Sequence, residues 1–138
     1  MQADGAAPLV LGRPVEHPET AATAIRIGKP ARGEQALEAA SESGGRIIAA
    51  SDEQILEMQR MLARLEGIWV EPASAAGLAG LKLEIEGRRL DPKGLQIAAV
   101  CTGHGLKDPG IITASMQAPR AIAPEMDLLE DLILGQQR

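Results

Sequence analysis

Thr102-Gly103-His104-Gly105-Leu106-Lys107-Asp108 places a hydroxyl, an imidazole, an ammonium and a carboxylate on one short glycine-rich stretch. Groups of these types serve as acids, bases or charge stabilisers when a substrate lies within hydrogen-bond reach. Gly103 and Gly105 lack a Cβ, so the backbone there can approach another group closely. The heptad follows the apolar run Leu95 to Cys101, which reads as a buried strand. In open α/β sheets, ligands bind outside the carboxyl ends of strands. Spacing alone leaves two readings open: a ligand-binding loop, or a tight strand-to-helix turn whose polar residues are only solvated.

Two further stretches could contribute. Glu71-Pro72-Ala73-Ser74-Ala75-Ala76 puts a carboxylate just before a small-residue helix. That acid could orient a loop or a ligand amine, or simply complement the helix dipole. Ala21 to Pro30 offers small side chains suited to a flat ring, with Arg26 able to hold an anion; the alternative is a packed link to the sheet. Cys101 ends an apolar run and reads as a small buried hydrophobe rather than a nucleophile. His17 and His104 have no cysteine pair beside them, so no zinc cluster is expected. The chain holds no Gly-x-Gly-x-x-Gly fingerprint, no phosphate-binding P-loop and no nucleophile elbow. No self-sufficient active site is visible, and no catalytic residue is assigned.

The elements that must position these residues can be read from periodicity. Gly33 to Ser43 predicts a helix stopped by Gly44-Gly45, and Arg46 to Ala50 a short strand. Ser51 with Gln54 forms a capping box at the start of the next helix, followed by Asp52 and Glu53 in its first turn. Ile55, Met58, Leu62 and Leu65 make its buried face, and Gly67 ends it. Ile68-Trp69-Val70 reads as a short extended link. Pro72 opens a helix dominated by Ala and Gly, which should pack very close to a neighbour. Gly5 to Leu11 has the look of an interior segment. Pro109 to Pro124 reads as irregular and Glu125 to Leu134 as a final amphipathic helix. This alternation predicts α/β: a partial, mostly parallel sheet with flanking helices, with too few strands for a complete doubly wound sheet.

Composition narrows the class. At 138 residues the chain is a single domain or part of one. It has one Trp and no Phe or Tyr, so its core must be built from Ala, Leu, Ile, Val and Met. Small core residues imply closely spaced elements or packing on something outside the chain. The net charge is −5 with both signs interspersed, which argues against nucleic-acid binding. No apolar run approaches the length of about 20 residues that a membrane helix needs, and residues 1–4 show no signal-peptide pattern. A lone cysteine fits a cytoplasmic setting.

Taken in series, several stretches resemble the C-terminal part of the threonine synthases, within the fold type II pyridoxal-phosphate enzymes. They are Gln2 to Pro8, Ala22-Thr23-Ala24-Ile25-Arg26-Ile27-Gly28-Lys29-Pro30-Ala31, Glu42-Ser43-Gly44-Gly45, Ser51 to Leu56, Glu66 to Ala76, and Thr102 to Asp108. They occur in family order across most of residues 2–110. The Thr102 to Asp108 loop points to threonine synthase over the related serine/threonine dehydratases.

The resemblance implies conversion of O-phospho-L-homoserine and water to L-threonine and phosphate with pyridoxal 5'-phosphate, by a homodimer when the enzyme is complete. It implies that Thr102 contacts the cofactor's pyridine nitrogen and that Ala24 and Ile25 lie against the ring. A neutral hydroxyl does not enforce ring protonation as a carboxylate would. It also implies what this stretch does not carry. The family's Schiff-base lysine, the Asn beside the cofactor's phenolic oxygen and the Gly-rich phosphate loop all lie N-terminal to the segment matching Gln2. Lys29, Lys82, Lys93 and Lys107 do not match the catalytic lysine's motif, and Lys29 stands where the family commonly has Asn. Residues 1–138 are therefore expected to form one incomplete domain, with 109–138 as tail and terminal helix. Alone it should be inactive, because lysine nucleophilic catalysis is the core of this chemistry, and should expose apolar surface and self-associate, or be molten. The expected partner is the missing N-terminal half of the enzyme. The competing expectations are a non-catalytic ligand- or protein-binding module derived from the family, and a dehydratase fragment.

Overall fold

The capping box forms as the sequence predicts. Ser51 Oγ accepts the Gln54 N–H at 3.2 Å, and Gln54 Oε1 accepts the Ser51 N–H at 2.9 Å. Two orphan donors at the start of a helix are thereby satisfied. The helix ends at Gly67, whose φ of 67° lies in the left-handed region. In the computed structural model, which describes residues 1–115 and 121–135, the order is β1 (Gln2–Ala3), α1 (Pro8–Leu11), a 3-10 turn at Thr23–Ile25, α2 (Gly33–Glu42), β2 (Ala49–Ala50), α3 (Asp52–Glu66), α4 (Pro72–Glu86), a 3-10 turn at Gly105–Lys107, α5 (Pro109–Ser115) and α6 (Met126–Gly135).

The fold is a partial α/β arrangement. β1 and β2 pair in parallel, with Gln2 opposite Ala49 and Ala3 opposite Ala50. The Gln2 N–H donates to Ile48 O and the Asp4 N–H to Ala50 O, both at 2.9 Å. The segment Gly5 to Leu11, expected to be interior, is so only in part: Ala6, Ala7 and Pro8 are buried, as is Ala3 before them, but Val10 and Leu11 on α1 are about half exposed. Ala3, Ala22, Ala50, Ile55, Val70, Ala75, Ala76 and Ala79 make the core, with Met1, Ile25, Met58 and Leu62 packed against it. α4 supplies its small face to α3, to β2 and to the Thr23–Ile25 turn. At Gly80 the approach is so close that a Cβ would lie 2.6 Å from Met1 Sδ.

Two polar links hold α3 in place. Gln59, 1% exposed, donates from Nε2 to Val70 O at 2.7 Å, which ties α3 to the segment entering α4. Lys82 on α4 lies 3.5 Å from Glu57 on α3 and 2.8 Å from Glu86. Its hydrogen bond to Glu86, with Glu57 nearby, raises the Lys82 pKa above its ordinary 10.5. A raised pKa means this link is fully present below the unfolded value and fades as pH climbs through the folded one. It is a surface link and a small one.

Several expectations are corrected. Leu95 to Cys101 forms no strand, because no strand lies beside it among the described residues. Residues 96–101 make no backbone–backbone hydrogen bond there, and Val100 is 82% exposed. Cys101, expected buried, is exposed for the same reason. Leu65 is 62% exposed, since α3 buries Ile55 and Gln59, with Met58 and Leu62 half-buried beside them, and no described residue covers its last turn. Residues 109–115, read as irregular, form α5; residues 116–120 of that stretch lie outside the described residues. Among the described residues no helix is long and apolar enough to cross a membrane.

Two substitutions test the α3 supports by urea unfolding of the whole chain. Ser51→Ala should lower stability by about 1 kcal/mol through loss of the cap. Gln59→Leu should cost about 1–3 kcal/mol, because it strands the buried Val70 carbonyl. Equal stability of Gln59→Leu and wild type would show that this bond carries no weight.

Candidate functional site

Residues 69–74 form a cradle for the glycine-rich heptad. Val70 and His104 meet in an antiparallel bridge. The Gly105 N–H donates to Trp69 O at 3.2 Å, and the Glu71 N–H donates to Gly103 O at 3.0 Å. The Gly103 N–H in turn donates to Ser74 Oγ at 2.9 Å. Both backbone polar groups of Gly103 are thus held by the start of α4. A Cβ on Gly103 would overlap the Glu71 carboxylate, and one on Gly105 would overlap the Trp69 indole. The two glycines therefore serve close approach to the protein's own residues 69–74.

Most of the heptad's polar side chains are spent on building the loop. His104 Nδ1 accepts the Leu106 N–H at 3.1 Å and caps the 3-10 turn. An accepting Nδ1 leaves the proton of the neutral ring on Nε2. The Lys107 ammonium lies 3.1 Å from Glu71 Oε1 and 3.0 Å from Oε2. Asp108 Oδ2 accepts from Thr23 Oγ1 at 2.8 Å. Thr102 differs from these: it is exposed, and its hydroxyl has no hydrogen bond among the described residues.

The Thr23–Asp108 bond joins two segments far apart in sequence. It sets the Thr23–Ile25 turn, which carries Ala24 and Ile25, against the end of the heptad. Ala24 is exposed, while Ile25 is half-buried against the core. The turn is held from behind as well. Thr20 Oγ1 donates to Asp52 Oδ1, the Ala21 N–H donates to Asp52 Oδ2 at 2.7 Å, and the Ala22 N–H donates to Thr20 Oγ1 at 3.0 Å. Asp52 thus braces this turn besides standing in the first turn of α3.

Arg26 faces Glu19 at 3.8 Å on the surface. Glu71 makes no cap bond to its own helix and turns to Lys107 instead, so it orients the loop rather than only complementing the α4 dipole. Sequence reasoning missed Ser74, Trp69 and Thr23. Each works through a partner distant in sequence. Only Ser74, within the first turn of α4, stood at a position where a hydroxyl is commonly spent on a neighbouring N–H. A separate cleft of about 480 Å³ lies between α1 and α2 and is lined by residues including Arg13, Lys29 and Glu34; no residue of the heptad borders it.

The family model of pyridoxal-phosphate dependent enzymes matches residues 1–103. The threonine synthase of Mycobacterium leprae (strain TN) is 56% identical over 108 residues, covering 78% of this chain and 30% of that protein. The threonine synthase of Bacillus sp. (strain ULM1) is 46% identical over 135 residues, covering 97% of this chain and 38% of that protein. That of Methanocaldococcus jannaschii is 44% identical over 141 residues, covering 96% and 35%. The chain thus spans between 30% and 38% of the length of these relatives. Among solved structures, the threonine deaminase of T.th. superposes with a TM-score of 0.50 at 30% identity, covering 64% of this chain and 30% of that one. A family match over residues 1–103, with relatives of this identity, establishes that the chain belongs to the pyridoxal-phosphate dependent enzyme family.

Proposed function

We propose that this chain is the C-terminal portion of a threonine synthase, in which it supplies the ring-nitrogen side of a pyridoxal 5'-phosphate site. The complete enzyme would convert O-phospho-L-homoserine and water to L-threonine and phosphate, as a cytoplasmic homodimer. Residues 1–138 would be one incomplete domain of it. The cofactor, when bound, supplies an electron sink for charge developed on the substrate. The family gives the cofactor; the roles of Thr102, Ala24 and Ile25 are proposals.

One observation carries the reading: the Thr102 hydroxyl is exposed and makes no hydrogen bond among the described residues, on a loop largely locked by its own hydrogen bonds. A neutral hydroxyl suits a pyridine nitrogen, since it can donate to the unprotonated ring without demanding a charge there. Ala24, small and exposed on the turn pinned to Asp108, suits a flat ring face, and Ile25 holds that turn on the core. The residues present fit one end of the cofactor. The lysine that would bond to it and the cradle for its phosphate match nothing in this chain and would come from the remaining length of the enzyme. The exposed Leu95, Ile97 and Val100 suit a surface on which that remainder packs. Alone, the chain would be inactive.

A second reading, a serine/threonine dehydratase portion, draws on the threonine deaminase likeness. A third is a binding module without catalysis. The test is the native mass and visible spectrum of the chain purified from its own cells, followed by assays on two substrates. A heavier assembly with a pyridoxal-phosphate band that releases phosphate from O-phospho-L-homoserine is expected. Formation of 2-oxobutanoate from threonine instead would move the assignment to the dehydratases, and a colourless chain without a second polypeptide would mean a fragment that is inactive on its own. In the active assembly, Thr102→Val should lower kcat/KM on the order of tenfold, the loss of about one hydrogen bond. An unchanged kcat/KM would remove Thr102 from the site.

A further inference from the structure

We propose that Glu71 and Lys107 are a positioning pair that holds Thr102 in place and keeps the charge behind it neutral. Glu71 is 3% exposed although it stands at the start of a helix. Its carboxylate lies against Gly103, the residue that follows Thr102, so closely that no side chain fits between them. Burying a carboxylate without compensation is costly. Lys107 provides the compensation, with its ammonium near 3 Å from both oxygens. The same ammonium belongs to the far end of the heptad, so the ion pair closes the loop across Gly103 to Lys107.

This arrangement has two effects on Thr102. The first is mechanical: the paired acid stays seated and buttresses Gly103, whose amide and carbonyl are already held by Ser74 and Glu71. The second is electrostatic. An unpaired carboxylate behind Thr102 would favour positive charge on whatever the hydroxyl faces. Paired with Lys107 it presents no net charge, and Thr102 remains a neutral partner. The mechanical effect stands on the structure by itself; the electrostatic one rests on the proposed cofactor role of Thr102.

The test separates the two. In the full chain, amide hydrogen exchange at Gly103 and Gly105 should accelerate on the order of tenfold in Lys107→Met and in Glu71→Gln, while α3 amides keep their wild-type rates. Lys107→Arg should retain protection, and the double variant should show no more than either single change, as coupled partners do. Trp69, the chain's one tryptophan, gives a second readout: its emission should become more quenchable by acrylamide in the same variants. Wild-type exchange in both Lys107→Met and Glu71→Gln would overturn the proposal. In the cofactor-loaded assembly, Lys107→Met should shift the visible band and its pH profile, and Lys107→Arg should restore both. Accelerated exchange with an unmoved band would overturn the electrostatic half. If the wild-type assembly shows no band, the cofactor reading fails, and the exchange data alone decide on the pair.

Discussion

The close approach that α4 permits is the constraint on which the rest depends. Ala75, Ala76 and Ala79 are buried and Gly80 leaves no room for a Cβ, so the helix can contact α3, β2 and the Thr23–Ile25 turn together. Larger side chains on this face would push those elements apart, because packed interiors do not absorb added volume freely. The start of the same helix then holds the heptad through Ser74 and Glu71. One helix therefore sets both the core and the loop. The small residues that make its sequence look featureless are what allow it to do so.

Local signals were legible and distant ones were not. The Ser51–Gln54 box, the Pro72 start, the Gly67 stop and the final helix are written in adjacent residues, and all four formed. β1 is two residues long and carries no periodicity, so only its pairing with Ala49–Ala50 reveals it. α1 is a four-residue turn of helix, too short for a periodic pattern. The strand expected at Leu95 to Cys101 has the right composition. Strand geometry, however, needs a neighbour to pair with, and none lies there among the described residues.

The site divides the same way. Its location after the apolar run and the residue types in it could be read directly. The functions of those residues could not, since Lys107 and Asp108 find partners far away in sequence and His104 is taken up in capping its own turn. What looked like a collection of acid–base groups is mostly engaged in building the loop itself. The role proposed for Thr102 comes from resemblance to the threonine synthases, while the partners of its neighbours come from the structure. Polar residues in a candidate site are best sorted first by which of them already have partners.

The parallel pairing of β1 with β2 also imposes an order on the nascent chain. Gln2 and Ala3 leave the ribosome well before the residues they pair with, Ala49 and Ala50, which come only after α2 has been made. The Thr23 turn must wait longer still for Asp108. The edge of β1 that meets β2 stays open until residues 49 and 50 exist, and the Lys107–Glu71 and Gly103–Ser74 links likewise need residues made well apart. Non-local closures of this kind are slow to form, and the corner that presents Thr102 is built almost wholly from them.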